Sequence, residues 1–317
     1  MTTPALDWRQ AITEAHARIA RYLLLTPCID LPIGALGAPY RLTLKLEHLQ
    51  RTGSFKPRGV FNRLSGATLP PAGLICASGG NHGAALAYAA QTLGVPCEVF
   101  VPKVASQFKR DRLLAYGARV IEAGKVFVEA LQASELRREE TSAMSIHPFD
   151  HVQTLAGQGT VAKEIEEQVG VPDAVIVAVG GGGLLGGVAG WFGRSAAVIG
   201  AEPELCATFS AAMAAGKPVP VPTDGVAADA LGCRELGSVP FSVVSERSVA
   251  SLLVSDAEIV AAQRLLWEEL RLVVEPAAAV PLAAARSGRL RVKHGAHVCL
   301  VICGGNVEPS TMEAHRA

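Results

Sequence analysis

A two-domain α/β fold, each domain a mainly parallel sheet flanked by helices, is predicted for this chain by three observations. Short apolar runs recur along it, segments of helical spacing separate the runs, and several of those segments stop at a glycine. Two such alternations occur, and 317 residues are enough for one large or two ordinary domains.

Asp7, Arg9, Glu14 and Arg18 lie among apolar residues, which predicts an amphipathic N-terminal helix. The apolar block of a signal peptide is missing there, so a cytoplasmic location is expected. From residue 74 the runs LICA, CEVFV, RVIE and AMSI read as strands, with helices starting near Asn81, Ser106 and Val126. Gly94 and Gly117 serve as C-terminal caps, and residues 66–145 read as a small α/β domain, with 1–65 and 146–317 forming the large one. The second alternation has a helix from about Leu155, a strand over 174–179, a glycine loop, a helix to about Phe192 and a strand over 197–202. The loop over 217–223, rich in proline and valine, reads as an irregular connection. Ser255 and Glu258 form a capping box ahead of a helix through Leu270, and Pro276 suits the first turn of the next. HVCLVIC (297–303) reads as a buried strand ending in Gly304-Gly305-Asn306, and Arg137 to Glu140 as a solvated helix end. No repeat, low-complexity tract or appended regulatory domain is discerned.

Half the residues are apolar, and 29 basic side chains balance 29 acidic ones. No long-range field then favours nucleic acid or an anionic membrane, so a small-molecule partner is expected. The one long uncharged apolar stretch, 174–192, is broken by glycines and reads as strand, loop and helix rather than a membrane span. Seven cysteines, at 28, 76, 97, 206, 233, 299 and 303, form no CxxC pair, so neither a zinc site nor a disulfide framework is indicated. His147/His151 and His294/His297 lack further clustered ligands and read as surface or loop histidines; no metal is expected.

Three segments carry chemistry: GSFKPRG (53–59) with Lys56, SGGNHG (78–83), and GGGGL (180–184). The tetraglycine follows a strand and opens a helix, so its backbone amides can bind an anion. Gly181, Gly183 and Gly186 also satisfy GxGxxG, with Glu202 near the place of a ribose acid, which keeps a nicotinamide-dependent oxidoreductase as an alternative. That motif normally begins its domain, however, and it leaves Lys56 and SGGNHG unexplained. Close helix packing alone would also call for glycines. SGGNHG offers a second helix N-terminus with the Ser78 hydroxyl; taken alone, Asn81 and His82 would read as helix capping. A lysine amine that condenses with an aldehyde, beside one anion site for a cofactor phosphate and another for a substrate carboxylate, points to pyridoxal 5'-phosphate and an amino-acid substrate.

The motifs KLEHLQRTGSFKPRG (45–59), ASGGNHG (77–83), IHPFD (146–150), AGQGT (156–160), VGGGGL (179–184), VVEP (273–276) and CGGN (303–306) extend this. In their order, and from about residue 20 to 310, the chain resembles the serine/threonine dehydratase family of tryptophan-synthase-β-like, fold type II, pyridoxal phosphate enzymes. The resemblance implies that Lys56 is the Schiff-base lysine and that Gly180, Gly181, Gly182, Gly183 and Leu184 bind the phosphate. It implies that Phe55 flanks the ring, Asn81 bonds the ring hydroxyl and Cys303 faces the pyridine nitrogen. Ser78, Gly79, Asn81 and His82 would line the substrate carboxylate subsite. The expected reaction is α,β-elimination of a β-hydroxy L-amino acid, L-threonine or L-serine, to a 2-oxo acid and ammonia, with Lys56 as the base. A homodimer is expected on the same ground. β-Replacement enzymes of the fold usually carry an NP-x-x-SVKDR type of motif where this chain has TGSFKPRG; they remain an alternative, as do ammonia-lyases acting on 3-hydroxyaspartate or diaminopropionate.

Four positions depart from the pattern or bear on it. Serine racemases of the family use a serine as a second acid between the positions matching Ser78 and Asn81, where this chain has Gly79-Gly80. Metal-binding relatives pair an acid matching Glu202 with another six residues on, where this chain has Thr208. The residue after Asp229 is Ala230, where close relatives often have glycine, so a methyl group narrows the expected pocket. Cys303 is a weak neutral donor, which favours elimination over chemistry that needs a protonated ring.

Overall fold

The computed structural model describes residues 6–247 and 249–308. Ten strands among them form two sheets. β1 (Cys28–Leu31), β2 (Arg41–Lys45), β7 (Ala174–Ala178), β8 (Ala197–Pro203), β9 (Ala250–Val254) and β10 (His297–Val301) make the larger, in the order β1-β2-β10-β7-β8-β9. Only β1 runs antiparallel to its neighbour. β3 (Leu74–Ala77), β4 (Cys97–Val101), β5 (Arg119–Glu122) and β6 (Met144–Ser145) make the smaller, all parallel, in the order β5-β4-β3-β6. Every residue of β7 is buried, so helices cover both faces there, as a parallel sheet requires.

Local signals set the helix ends. α1 (Trp8–Ile19) starts where the Asp7 carboxylate accepts the Gln10 amide, and α3 (Asn81–Leu93) stops at left-handed Gly94. α4 (Gln107–Ala115) is capped by Ser106; α5 (Phe127–Thr141) ends on left-handed Ser142 rather than a glycine. α6 (Val152–Val169) begins ahead of the expected Leu155, because the His151 ring accepts the Gln153 amide and caps it. α7 (Gly183–Phe192) leads from the glycine loop to β8. α8 (Thr208–Ala215), α9 (Ala228–Leu231) and α10 (Ser238–Glu246) follow, with 217–223 irregular between the first two. The capping box of Ser255 and Glu258 opens α11 (Asp256–Leu270), and Pro276 opens α12 (Pro276–Arg286). His297 opens β10, as the strand expected from 297 requires, and is half-buried there, with its Nε2 2.7 Å from the Thr43 hydroxyl.

The helix α2 (Lys56–Leu64) is shared between the two sheets' cores. Val60, Phe61 and Leu64 pack with Leu74, Leu86 and Val99 of the smaller unit. Its other side meets α6, where a Cβ at Gly157 would stand 2.3 Å from the Arg58 carbonyl oxygen, so only glycine allows this approach. Within that contact lies a buried ion cluster. Arg58 is 0% exposed and donates to Glu47 (Nε to Oε2, 2.7 Å) and to Glu164 (Nη1 to Oε1, 2.7 Å). Lys45, also 0% exposed, donates to Glu164 (2.7 Å), the Thr26 carbonyl (2.7 Å) and Gln168 (2.9 Å). Burial works against the Arg58 charge, but the two carboxylates outweigh it and raise its pKa. Two cations and two anions with their donors satisfied are what a buried charge cluster needs.

Candidate active site

The three chemical segments meet at the C-terminal ends of the parallel strands, where ligands of open α/β sheets bind. Main-chain bonds fix the first to the end of β10: Phe55 N donates to the Cys303 carbonyl (3.2 Å), Gly305 N donates to the Gly53 carbonyl (2.9 Å), and Ser54 bridges Gly304. Lys56, at the first turn of α2, therefore stands beside Cys303, and the loop after β7 and the segment after β3 close round it. Its amine makes one long bond, to the Pro148 carbonyl (3.3 Å), and lies 5.2 Å from the centroid of the Phe55 ring. Burial lowers the Lys56 pKa, against the opposing pull of Cys233, Cys303 and Glu275. The result is an amine readier to be neutral, with no carboxylate of the described residues bound to it.

A side chain would be crowded at each residue of the glycine loop. A Cβ at Gly181 would stand 2.3 Å from the Phe149 ring, at Gly182 2.5 Å from Leu236, at Gly183 2.4 Å from Gln158 and at Gly180 3.0 Å from the Leu231 Cα. Gly182 is also left-handed (φ 85°). Packing thus accounts for the glycines' identity; an anion bound here would meet the amides that open α7, at Gly183 and Leu184, which have no intrahelical partner. The loop's carbonyls are committed elsewhere, Gly180 to the Thr208 hydroxyl (2.6 Å) and Gly181 to Gly237 N (3.1 Å). Glu202 is not free to hold a ribose: it accepts from Phe209 N (2.6 Å) and Ser210 N (2.8 Å), capping α8.

At the second anion segment Gly80 is the N-cap of α3, leaving the amides from Asn81 onward to face the site. The His82 ring is buried and bonded to the Ile146 carbonyl (2.9 Å), and burial drives its pKa down to about 3. It is neutral, and it offers an anion its backbone amide rather than a charge. Asn81 donates to Glu275 Oε1 (2.7 Å) and accepts from Asn306 (2.5 Å). Burial pushes Glu275 up to about 7 in spite of the Asn81 hydrogen bond. Cys303 is 4% exposed, and burial raises its thiol beyond the physiological range.

Glu275, Phe149, Gln158 and Cys233 fall inside or beside this cluster, yet sequence reasoning gave them no part. The first three lie within VVEP, IHPFD and AGQGT, so the motifs were the available signal; Cys233, whose thiol is bonded to the Gly181 main chain, had none. A groove of about 670 Å³ lies elsewhere, at the N-terminal ends of β8 and β9 among Arg194, Val198, Leu252 and Arg291. No helix among the described residues is long and apolar enough to cross a membrane.

Residues 19–304 match the family model described as pyridoxal-phosphate dependent enzyme. The chain is 36% identical over 312 residues to a serine racemase of Dictyostelium discoideum, covering 95% of each protein. It is also 36% identical over 282 residues to an L-threonine ammonia-lyase of Geobacter sulfurreducens, covering 87% of this chain and 69% of that one. The crystal structure of a threonine deaminase from T.th. superposes with a TM-score of 0.88 at 36% identity, covering 94% of this chain and 98% of that one.

Proposed function

The chain belongs to the pyridoxal-phosphate-dependent enzyme family, and from that premise we propose that it is an ammonia-lyase, eliminating the β-hydroxyl of an L-amino acid such as L-threonine or L-serine. The residues present fit the cofactor: an amine without an ion-pair partner among the described residues stands beside a helix N-terminus whose first amides have no intrahelical partner. Pyridoxal phosphate, when bound, supplies the electron sink for the charge left at the substrate α-carbon. Gly180 to Gly183 and Leu184 would hold its phosphate through main-chain amides, with Phe55, Asn81 and Cys303 around the ring. Ser78, Gly79, Asn81 and His82 would hold the substrate carboxylate through amides and the Ser78 hydroxyl. Lys56 would take the α-proton, a role that its lowered pKa supports. The β-hydroxyl leaves as water, and hydrolysis of the released enamine gives the 2-oxo acid and ammonia. The same reading takes residues 66–145 as the small domain.

What favours elimination over racemisation is the glycine pair at 79–80. A Cβ on Gly79 would meet nothing closer than Val101 Cγ1 at 3.5 Å, and one on Gly80 nothing closer than Ser78 Oγ at 4.0 Å. Neither is left-handed. A serine would therefore fit, and its absence removes the proton donor that racemases of the family use. Cofactor-loaded protein given L-serine should release pyruvate and ammonia with negligible D-serine, and Gly79→Ser should gain D-serine formation. D-Serine appearing from wild type at a rate comparable to pyruvate would overturn the assignment.

A further inference from the structure

The candidate active site lies at the C-terminal ends of the parallel strands, and the groove of about 670 Å³ lies at their other end. Three connections meet in it: the turn from α7 into β8 with Arg194, the turn from α10 into β9 with Arg247, and the segment after α12 with Arg289 and Arg291. Four arginines and no acidic side chain line it, in a chain whose basic and acidic residues balance. Two of the four are engaged. Arg289 donates to Glu258 Oε1 (2.6 Å), and Arg247 reaches the adjacent Glu246 and the Val243 carbonyl, each at 3.4 Å. Arg194 and Arg291 make no ion pair or hydrogen bond among the described residues. Between the arginines the floor is aliphatic, formed by Val198, Leu252 and Leu290. Val198 is 7% exposed where its strand partner Val175 is 0% exposed, so the groove reaches down to the sheet.

Like charges gathered along a concave wall focus the potential, and draw an anion more strongly than the same arginines spread over an open face. Each guanidinium is a planar fork that fits two oxygens of a phosphate, and its flat face also stacks on a ring. The pair without partners, Arg194 and Arg291, matches the near-dianion of a phosphate monoester better than a single carboxylate. The aliphatic floor suits an apolar body, and the volume is that of a small-molecule site. α7 has 10 residues and is therefore ~15 Å long; it separates Arg194 from the glycine loop, so no small ligand spans both.

We propose that this groove is a second ligand site, for a phosphate monoester with an apolar body: the phosphate on Arg194 and Arg291, the body on Val198, Leu252 and Leu290. The test is calorimetric titration of the holoenzyme, whose cofactor fills the first phosphate site, with 1-naphthyl phosphate, inorganic phosphate and 1-naphthol. Arg194→Gln, Arg291→Gln and the double variant are titrated alongside. 1-Naphthyl phosphate should bind once per chain without releasing the cofactor, and ~10-fold or more tighter than either fragment. Each single substitution should weaken it by ~10-fold and the pair by ~100-fold, as the loss of one and then two charge-assisted bonds predicts. 1-Naphthol binding should not change. Both side chains are exposed and lie at the far end of the sheet from Lys56, so denaturant midpoints and 2-oxo acid release should match wild type. No turnover enters the binding measurement, which therefore stands whether or not the chain is an ammonia-lyase. Absence of saturable binding, displacement of the cofactor, inorganic phosphate binding as tightly as the ester, or equal binding to wild type and the double variant would each overturn the proposal.

Discussion

Lys56 and Arg58 stand two residues apart on one turn of α2, yet they belong to opposite kinds of buried charge. Arg58 is surrounded by Glu47, Glu164 and the Thr160 hydroxyl, with every guanidinium nitrogen engaged. Among the described residues Lys56 has only the Pro148 carbonyl at 3.3 Å as a hydrogen-bond partner, and Glu275, whose charge acts on it, is held by the Asn81 amide rather than by a cation. The first cluster is complete and holds the fold. The second is incomplete, and an incomplete buried set is where a ligand contributes most, because it supplies bonds the protein has left unmade.

The contrast is sharpest when both members of the pair are removed. Lys56→Ala should lower 2-oxo acid release by roughly 10³-fold or more while denaturant unfolding of the cofactor-free protein moves little. Arg58→Met should do the reverse in kind, destabilising the fold by ~3–5 kcal/mol because Glu47 and Glu164 are left with one cation between them. A Lys56→Ala protein that unfolds, or an Arg58→Met protein as stable as wild type, would break the distinction.

A smaller effect separates the clusters by pH. Glu275 is pushed from its ordinary 4.5 to about 7 in the folded protein. Between those values the folded state keeps a proton that the unfolded chain releases, so this group's contribution to stability falls as pH rises through the window. Glu275→Gln keeps an acceptor for Asn81 and removes the titration, so its stability relative to wild type should climb by ~3 kcal/mol from pH 4.5 to above 7 in cofactor-free protein. Glu202, also raised to about 7 by burial, titrates in both proteins and cancels from the difference. A flat difference would place Glu275 among the compensated charges.

The smallest effect expected is that of metal removal. Glu202 spends its oxygens on Phe209 N, Ser210 N and the Thr208 hydroxyl, and no group of three or more potential ligands occurs among the described residues. Dialysis against EDTA should leave 2-oxo acid release within about twofold. A loss restored by magnesium would show that Glu202 can leave its cap.

The same contrast marks what could be read in the sequence. β7, the glycine loop and α7 were legible because a buried parallel strand is apolar throughout and its turn is glycine; α11 and α12 were legible from Ser255, Glu258 and Pro276. β2 was not recognised as a strand. RLTLK ends in a lysine, which reads as surface, and only Glu164, 119 positions away, makes Lys45 a core residue. Arg58 was hidden for the same reason. Lys56, SGGNHG and the glycine loop stood out because their residue types are costly without a use. Glu275 could be seen only as part of VVEP, since its partner Asn81 lies 194 positions away.

One further consequence lies in the strand order. β10 is the last described strand to leave the ribosome, yet it occupies the middle of the larger sheet, between β2 and β7. Until it is inserted, both neighbours present open edges, and Gly53 and Phe55 lack the amide and carbonyl that hold them beside Lys56. The lysine near the beginning of the chain is therefore aimed by residues near its end, a closure across about 250 positions of the kind that slows folding. During synthesis the chain holds the Lys56 amine long before it holds the residues around it, so a chain stopped short of β10 would carry the amine without the contacts that aim it.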